Sequence, residues 1–176
     1  MKSKGRGSPS NGQREEGCAL TELEYLRRAE ASREKLYRAA ILTLGSEAAA
    51  IDAVDEAVYR GYRKFHGLRR SEYLETWLVR ILINVCRDEL RRRKRELAVA
   101  ELPETAREEF DALPLKEAIR RLPETLRQVV ILRYFSGFTL EETAAILELP
   151  RGTVSTRQRR ALALLRLELS EEEDQS

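Results

Sequence analysis

The residues best suited to chemistry in this chain are hydroxyls and arginines that lie close together near its C-terminus. Ser155 and Thr156 are followed by Arg159 and Arg160, within apolar residues that recur at helical spacing. A helix here would present the hydroxyl and guanidinium groups on one outer face. Serine and threonine can approach base edges or phosphates, and arginine can pair with guanine or clamp a phosphate. The pattern indicates DNA binding, and the alternative is an ordinary helical hairpin with a solvated basic face.

The helix that carries these side chains needs a partner helix in front of it. Thr139 and Glu142 have the spacing of a capping box, which predicts a helix from Leu140. Pro150 and Gly152 should stop that helix, and a second helix should begin at about Arg151. Two short helices across a tight turn are typical of a helix-turn-helix. We expect the inward residues to be Leu140, Ala144, Ile146 and Leu147 in the first helix, and Val154, Ala161, Leu164 and Leu165 in the second.

The N-terminal half of the chain predicts three more helices. Thr21 should cap the first, which ends at Gly45, and Ser46 should cap the second, which ends near Gly67. A polar connector at 66–72 separates them from a third helix with a wide apolar stripe. We expect the second helix to bury Ile51, Val54, Val58 and Phe65, and the third to bury Leu74, Trp77, Leu78, Ile81, Leu82 and Val85.

The rest of the chain connects or supports these helices. Residues 97–113 are acidic and lack helical periodicity, which predicts a linker between two helical domains. A short helix from Pro114 to Leu122 and another that starts at Pro123 should support the helix-turn-helix. The second of these should pack through Val129, Val130, Leu132 and Tyr134. The predicted domains are 19–96 and 114–170, flanked by a disordered tail at 1–18 and an acidic tail at 171–176.

Two clusters of charge stand outside the apolar pattern. Five consecutive cations occupy 91–95, and they would either contact phosphates or form a solvated helix end. Asp52, Asp55 and Glu56 lie on the outer face of the second helix. This acidic cluster is either a solvated face or a docking site for a basic partner.

Catalytic and metal-binding chemistry is not predicted. The 176 residues include one histidine, His66, and contain no P-loop, His-x-x-His, Cys-x-x-Cys or Gly-x-Ser-x-Gly motif. Cys18 and Cys86 follow no metal or redox spacing, and no apolar run approaches the length of a membrane span. The net charge of +2 means that any nucleic-acid binding must come from local clusters. We therefore expect a soluble, cytoplasmic protein that is not an enzyme and needs neither a cofactor nor a metal.

Three stretches of the chain resemble motifs of one bacterial family, in that family's order. L-T-L-G-S-E-A-A-A-I-D-A-V-D-E-A-V-Y-R-G-Y-R-K-F is similar to a helix with a D-x-V-Q-E core. T-W-L-V-R-I-L-I-N-V-C-R-D-E-L-R-R-R-K-R is similar to W-L-x-x-I-x-x-N followed by D-x-x-R and basic residues. After the linker, L-P-E-T-L-R-Q-V-V-I-L-R-Y-F-S-G-F-T-L-E-E-T-A-A-I-L-E-L-P-R-G-T-V-S-T-R resembles the family's C-terminal region. Over residues 36–167 the chain thus resembles the extracytoplasmic-function (group IV) sigma factors of bacterial RNA polymerase, within the sigma-70 family.

The resemblance implies an all-α fold of two small helical domains, regions 2 and 4, joined by a flexible linker. Region 2 would dock on the β′ coiled coil of core RNA polymerase through Asp52, Asp55 and Glu56. It would also melt the minus-ten element and capture an unpaired base, through Arg69, Arg70, Ser71, Arg80, Asn84, Arg87 and Arg91. Region 4, which meets the β flap, would read the minus-thirty-five element through Thr153, Ser155, Thr156, Arg157, Arg159 and Arg160. Core polymerase and promoter DNA are the implied partners, and an anti-sigma factor is a further one that the resemblance allows.

The chain departs from the family pattern at three positions. Asp55 stands where the family usually has glutamine, and Ser155 and Gln158 replace residues that are commonly basic and apolar. Two functions from other classes stay open as alternatives. A stand-alone helix-turn-helix regulator would bind duplex DNA tightly without polymerase, and a helical adaptor would bind only protein.

Overall fold

The computed structural model describes residues 20–100 and 114–173, and within them the side chains of 20–96 and 115–168. These ranges are helical and contain no strand, so the all-α prediction is confirmed. The α-helices are α1 (Glu22–Leu44), α2 (Glu47–Tyr62), α3 (Leu74–Ala100), α4 (Pro114–Arg121), α5 (Glu124–Val130), α6 (Leu140–Leu147) and α7 (Arg151–Glu173). Single 3₁₀ turns occupy Phe65–Gly67 and Ser71–Tyr73, and a π-helical turn occupies Ile131–Phe135. The predicted tail at 1–18 and most of the predicted linker lie outside the described residues.

Helices α1, α2 and α3 form an N-terminal bundle whose ends follow the predicted signals. The Thr21 hydroxyl accepts the Glu24 N–H at 3.2 Å, and Ser46 caps α2 in the same way. Gly45 ends α1 in the left-handed conformation, with φ of 68°, and donates its N–H to Ile41. Glycine adopts the left-handed conformation at little steric cost. The chain therefore turns sharply at Gly45, and α2 packs back along α1.

The centre of the bundle is aromatic. Tyr25 is fully buried and donates its hydroxyl to the Val58 carbonyl at 2.7 Å, while its ring stacks on Phe65 with 5.0 Å between centroids. Burial raises the pKa of Tyr25 to about 12, so the hydroxyl stays a donor. Gly61 makes this packing possible, since a Cβ there would lie 2.4 Å from the Tyr25 hydroxyl and 2.6 Å from Leu78 Cδ2.

Three expectations for the bundle are wrong. Ile51 is 45% exposed, because α2 turns a face of small residues towards its neighbours and leaves Ile51 outside. Helix α2 also ends at Tyr62, not near Gly67, and Phe65 reaches the core from the following 3₁₀ turn. Helix α3 continues to Ala100, into the segment predicted as linker. The residues that do line the inner face of α2 are Ala50, Ala53, Val54, Ala57 and Gly61.

Helices α4 to α7 form a C-terminal unit in which α4, α5 and α6 all pack on α7. Its core includes Ile119, Val129, Leu132, Val154 and Ala161. The π-helical turn after α5 brings the Ser136 N–H to the Ile131 carbonyl at 2.9 Å. Such a turn inserts one residue beyond the α-helical repeat and rotates the chain that follows.

The prediction that Tyr134 packs inward is wrong, because its side chain is 51% exposed. Tyr134 lies within the π-helical turn, where the α-helical periodicity used for the prediction no longer applies.

The two units pack against each other. Helix α6 contacts α3, and the π-helical turn and α4 contact α1. The buried apolar side chains of both units belong to one contiguous cluster. In this structure the two units are therefore joined by direct packing as well as by the linker that the sequence predicted.

Candidate nucleic-acid interface

The turn between α6 and α7 sets the angle of the candidate reading helix. Thr139 and Glu142 form the predicted capping box in both directions. The end of α6 differs from the prediction, since the helix stops at Glu148, which is left-handed with φ of 55° and donates its N–H to Ala144. The Pro150 carbonyl then accepts the N–H groups of Thr153 and Val154 at 2.9 and 3.2 Å, which starts α7. Gly152 lies inside α7, so it does not end α6 as the sequence predicted.

Helix α7 presents hydroxyls and arginines outward, as predicted. Val154 and Ala161 are fully buried, which fixes the rotation of the helix. Thr156, Arg159 and Arg160 are exposed, whereas Thr153, Ser155 and Arg157 are half-buried. Among the described residues, no acidic side chain pairs with Arg157, Arg159 or Arg160. A phosphate or a guanine edge could therefore bind these guanidinium groups without displacing a protein partner.

Gln158 is held by its own unit. Its amide nitrogen donates to the Tyr134 hydroxyl at 2.8 Å, and its amide oxygen accepts from Arg133 Nε at 3.3 Å. Arg133 also donates to the Phe138 carbonyl. Both ends of the Gln158 amide are thus occupied by the π-helical turn, which explains how a polar residue fits where the family commonly has an apolar one.

Four of the predicted minus-ten residues share one face of α3. Arg80, Asn84, Arg87 and Arg91 follow at intervals of four, three and four residues, which places them in a row along the helix. Arg87 Nη1 lies 3.4 Å from the Asn84 side-chain oxygen, and Arg91 pairs with Asp88 at 3.0 Å.

Arg80 and Arg87 in this row also contact the C-terminal unit. Arg80 Nη1 lies 3.2 Å from Glu148 Oε1, and Arg87 Nη2 donates to Gln128 Oε1 at 2.9 Å. The row therefore lies at the junction of the two units.

The loop residues Arg69, Arg70 and Ser71 lie at the N-terminal end of α3, in and before the second 3₁₀ turn. Arg69 and Arg70 are exposed. Arg70 Nε pairs with Glu72 Oε1 at 2.7 Å, and the pKa of Glu72 is lowered by its own backbone N–H and by this arginine.

Sequence reasoning missed Tyr73 in the same turn. Its side chain is 48% exposed, and the Arg70 guanidinium carbon lies 4.8 Å from the centre of its ring. The missed signal was an aromatic residue beside two arginines, just before the apolar stripe of α3 begins. Trp77, which the sequence assigned to the core, is partly buried and packs against it.

The acidic residues of α2 divide into two groups. Asp52 and Glu56 line a cleft of about 410 Å³ between α2 and α3, together with Arg60, Asp88 and Arg92. Asp55 lies outside that lining and accepts from Arg33 of α1 at 2.6 Å, a hydrogen bond that raises the pKa of Arg33. The structure thus brings Asp52 and Glu56 together in one cleft, where Glu56 pairs with Arg60 of α2 at 2.6 Å. Asp55 pairs instead with an arginine of another helix.

The basic run at 91–95 is largely compensated within α3. Arg92 pairs with Glu89 and Glu96 at 2.9 and 2.6 Å, contacts that raise the pKa of Arg92. Arg93 pairs with Glu89 at 2.7 Å and donates to the Leu44 carbonyl at 3.2 Å. Lys94 and Arg95, both exposed, have no acidic partner among the described residues. Part of the run therefore stabilises the helix, and the rest stays available to an anion.

The described residues contain no cluster of His, Cys, Asp or Glu that could hold a metal. His66 lies on the surface with its ring against Phe65. Burial raises the pKa of the Cys86 thiol to about 12, which leaves it protonated and unreactive. No helix in the described ranges is long and apolar enough to cross a membrane.

Comparison with known families identifies both units. The model of sigma-70 region 2 matches residues 29–96, and the model of sigma-70 region 4 matches residues 118–167. The chain is 33% identical over 136 residues to the ECF RNA polymerase sigma factor SigM of Mycobacterium tuberculosis, covering 74% of this chain and 69% of that one. It is 30% identical over 157 residues to the ECF RNA polymerase sigma factor SigW of Bacillus subtilis, covering 78% of this chain and 84% of the relative.

Solved structures share the fold. The sigma factor RpoE of Bartonella quintana, in complex with the anti-sigma factor NepR, matches with a TM-score of 0.72 and 24% identity, over 84% of this chain and 97% of that one. CnrH, in complex with the cytosolic domain of CnrY, matches with a TM-score of 0.66 and 22% identity, over 86% of this chain and 90% of that one.

We call helices α1–α3 region 2 and helices α4–α7 region 4. Both family models match in the order that the sequence motifs indicated, and the relatives align across both regions. The resemblance drawn from the motifs is confirmed, and the stand-alone regulator is not favoured. The chain belongs to the extracytoplasmic-function sigma factors of the sigma-70 family, the RNA polymerase subunits that direct promoter recognition.

Proposed function

We propose that this sigma factor reads the minus-thirty-five element with the outer face of α7. The residues assigned to this role are Thr153, Ser155, Thr156, Arg157, Arg159 and Arg160. The observation that carries the proposal is the set of arginines on α7 without an acidic partner in the described residues. Phosphate contacts would set the register of region 4 on the duplex, and contacts to base edges would give the sequence preference.

Region 2 is proposed to open the minus-ten element and hold one strand. The loop at Arg69, Arg70 and Ser71 lies beside the row of Arg80, Asn84, Arg87 and Arg91 on α3. Unstacking a base costs a few kcal/mol, so contacts to the displaced strand must offset it. We add Tyr73 to this set, because stacking an unpaired base on an aromatic ring contributes about 1–3 kcal/mol. Its exposure beside Arg70 supports the assignment.

Asp52 and Glu56 are proposed to dock region 2 on the β′ coiled coil of core polymerase, and region 4 to meet the β flap. The two carboxylates line one cleft, and Asp55 lies outside it, paired with Arg33 of α1. Asp55 is therefore assigned a smaller part in docking than the sequence alone suggested. We place the protein in the cytoplasm, where polymerase and promoters meet, and assign it no catalytic step of its own.

An anti-sigma factor is a further proposed partner. The two proteins of similar fold described above were solved in complexes, RpoE with the anti-sigma factor NepR and CnrH with the cytosolic domain of CnrY. The domain bounds of 19–96 and 114–170 are also kept as a proposal, and α3 continues past the first of them to Ala100.

The deciding experiment is transcription by purified core polymerase from a library of randomised promoters, with and without this chain. Sequencing the transcripts should reveal two enriched elements separated by a fixed spacing. Transcripts that do not depend on the chain would refute the proposal. Tight binding to duplex DNA without polymerase would instead support a stand-alone regulator.

A further inference from the structure

A glutamine stands among the arginines of the reading helix. Gln158 lies between Arg157 and Arg159 on α7, and the amide of glutamine is well suited to pair with adenine. In this structure both ends of the amide are occupied by side chains of the π-helical turn, Arg133 and Tyr134. Gln158 is therefore not free to read a base, and its contacts act on the two side chains that it holds.

The arginine fixes the direction of each hydrogen bond in this group. A guanidinium has donors and no acceptor, so the atom that Arg133 Nε reaches at 3.3 Å is the amide oxygen of Gln158. The amide nitrogen then faces Tyr134 and donates to its hydroxyl oxygen at 2.8 Å. Because an amide nitrogen only donates, the Tyr134 oxygen is the acceptor, and its own proton points away from Gln158.

The hydroxyl proton of Tyr134 is thus a donor that faces solvent. The side chain is 51% exposed, and among the described residues its hydroxyl forms a hydrogen bond only with Gln158. Solvent satisfies this donor in the free protein. An acceptor on a ligand can replace that solvent without breaking any contact within region 4.

Tyr134 lies along one flank of α7. Gln158 follows Ser155 by three residues, so the Tyr134 hydroxyl lies beside the side of the helix that Ser155 shares. The major groove is about 12 Å wide and an α-helix about 10–12 Å across, so a helix in the groove has a phosphate backbone along each flank. A donor on this flank meets backbone phosphates and not base edges.

The π-helical turn carries Tyr134 to this position. A regular continuation of α5 would turn the residue inward, as the sequence predicted, and π-helical insertions occur frequently at functional sites. The turn is also anchored, because Arg133 donates both to Gln158 and to the Phe138 carbonyl. The hydroxyl is therefore placed before any ligand binds, which reduces the entropy cost of a contact.

We propose that Tyr134 donates a hydrogen bond to a backbone phosphate of the minus-thirty-five duplex, and that Gln158 is the positioning residue that holds the tyrosine for this contact. The inference rests on the proposed function, since it needs α7 to lie in the major groove of that element. A hydroxyl bonded to a phosphate fixes the register of region 4 and does not distinguish bases. Because the phenol is uncharged, the contact releases no condensed counterion.

The contact is tested on the holoenzyme with core polymerase. The probe is a short labelled duplex that carries the minus-thirty-five element enriched from the promoter library and ends upstream of the minus-ten element. Tyr134→Phe removes the hydroxyl and keeps the ring, and it should weaken binding by about 3- to 10-fold. The loss should be equal for every base substitution in the element, with an unchanged salt dependence. Tyr59→Phe, which removes the same group from an exposed tyrosine of region 2, is the control and should bind like the parent.

Neutral methylphosphonates, placed one at a time along both strands of the duplex, locate the phosphate. One replacement should weaken binding by the parent and have a smaller effect on Tyr134→Phe, because the hydroxyl and that phosphate act as a pair. The other replacements should affect the two proteins equally. Additive effects at every phosphate would overturn the proposed contact.

The positioning role is tested with Gln158→Leu, which introduces the apolar residue type common in the family. It should weaken binding in the parent by less than Tyr134→Phe does, and it should have no further effect when combined with Tyr134→Phe. A glutamine that reads a base would instead lose preference at one base pair in both backgrounds. That result would overturn the positioning role.

Arg159→Ala and Arg160→Ala separate this inference from the function on which it rests. If either weakens binding to the duplex and Tyr134→Phe does not, α7 reads the element and only the tyrosine contact is overturned. If none of the three substitutions weakens binding, the reading role of α7 is overturned as well.

Discussion

The two candidate DNA-binding surfaces differ in what their arginines contact. On α7 of region 4, Arg157, Arg159 and Arg160 have no acidic partner among the described residues. On α3 of region 2, Arg80 and Arg87 are engaged by side chains of region 4. The arginines of one surface therefore lack acidic partners, whereas two arginines of the other already contact side chains of region 4. The comparison teaches that similar basic faces can differ in availability because of what packs against them.

The largest expected effect comes from the loop beside α3. Replacing Arg69, Arg70 and Ser71 with alanine should abolish open-complex formation, because base capture would no longer offset unstacking. Binding to the minus-thirty-five element and to core polymerase should change little. Permanganate reactivity of unpaired thymines measures the effect, and a preformed bubble should restore only part of the activity. Full activity on intact duplex would place melting on α3 itself.

The next effect should appear on the reading helix. Changing Arg159 or Arg160 to alanine should weaken binding to the minus-thirty-five element by about 1–3 kcal/mol for each hydrogen-bonded base that the arginine no longer reads. An arginine that touches only phosphate would instead weaken binding equally on every sequence and reduce the salt dependence. Arg38→Ala, which removes the same charge from region 2, is the control in a binding titration. Unchanged affinity after both substitutions on α7 would argue that this helix does not recognise the minus-thirty-five element.

Tyr73 sharpens the comparison within region 2. Tyr73→Leu keeps an apolar side chain and removes the aromatic ring, so open-complex stability should fall by about 1–3 kcal/mol if a base stacks there. Tyr59→Leu changes a similarly exposed tyrosine on α2 and should have no such effect. The lifetime of open complexes under heparin challenge provides the measurement. Equal open-complex lifetimes for the two variants would show that no base stacks on Tyr73.

The packing of region 2 yields a stability prediction that asks whether the regions unfold together. Gly61→Ala should destabilise the protein by about 1–3 kcal/mol, because the new methyl group meets Tyr25 and Leu78. Gly67→Ala is the matched control, since its Cβ would have no neighbour within 4 Å. Thermal unfolding followed by circular dichroism measures both. One shifted transition indicates a single cooperative unit, and two transitions with only one shifted indicate independent regions.

The smallest effect should be on polymerase docking. Asp52→Ala with Glu56→Ala should weaken core binding by about 0.2–1 kcal/mol per charge, because both carboxylates are at least partly exposed to solvent. Asp55→Ala should weaken it less, since Asp55 lies outside the cleft that Asp52 and Glu56 line. A core pull-down across a salt series compares the variants. A larger decrease for Asp55→Ala than for the double variant would reverse this assignment.

Much of the fold followed from local signals in the sequence. Thr21, Gly45, Ser46 and the pair Thr139 and Glu142 act within one helical turn, so their positions alone predict helix ends. The outward arginines of α7 were predictable for the same reason, because helical periodicity separates them from Val154 and Ala161. The order of the motifs was sufficient to indicate the family.

Other features depended on contacts between distant residues. The exposure of Ile51 follows from the close packing of small residues on α2, and that of Tyr134 from a π-helical turn that no motif marks. The difference between Asp55 and its two neighbours depends on Arg33 of another helix. The sequence by itself determined which side chains could bind DNA. Only the tertiary structure decided which of them are available, because Glu148 and Gln128 reach Arg80 and Arg87 from a region far away in the chain.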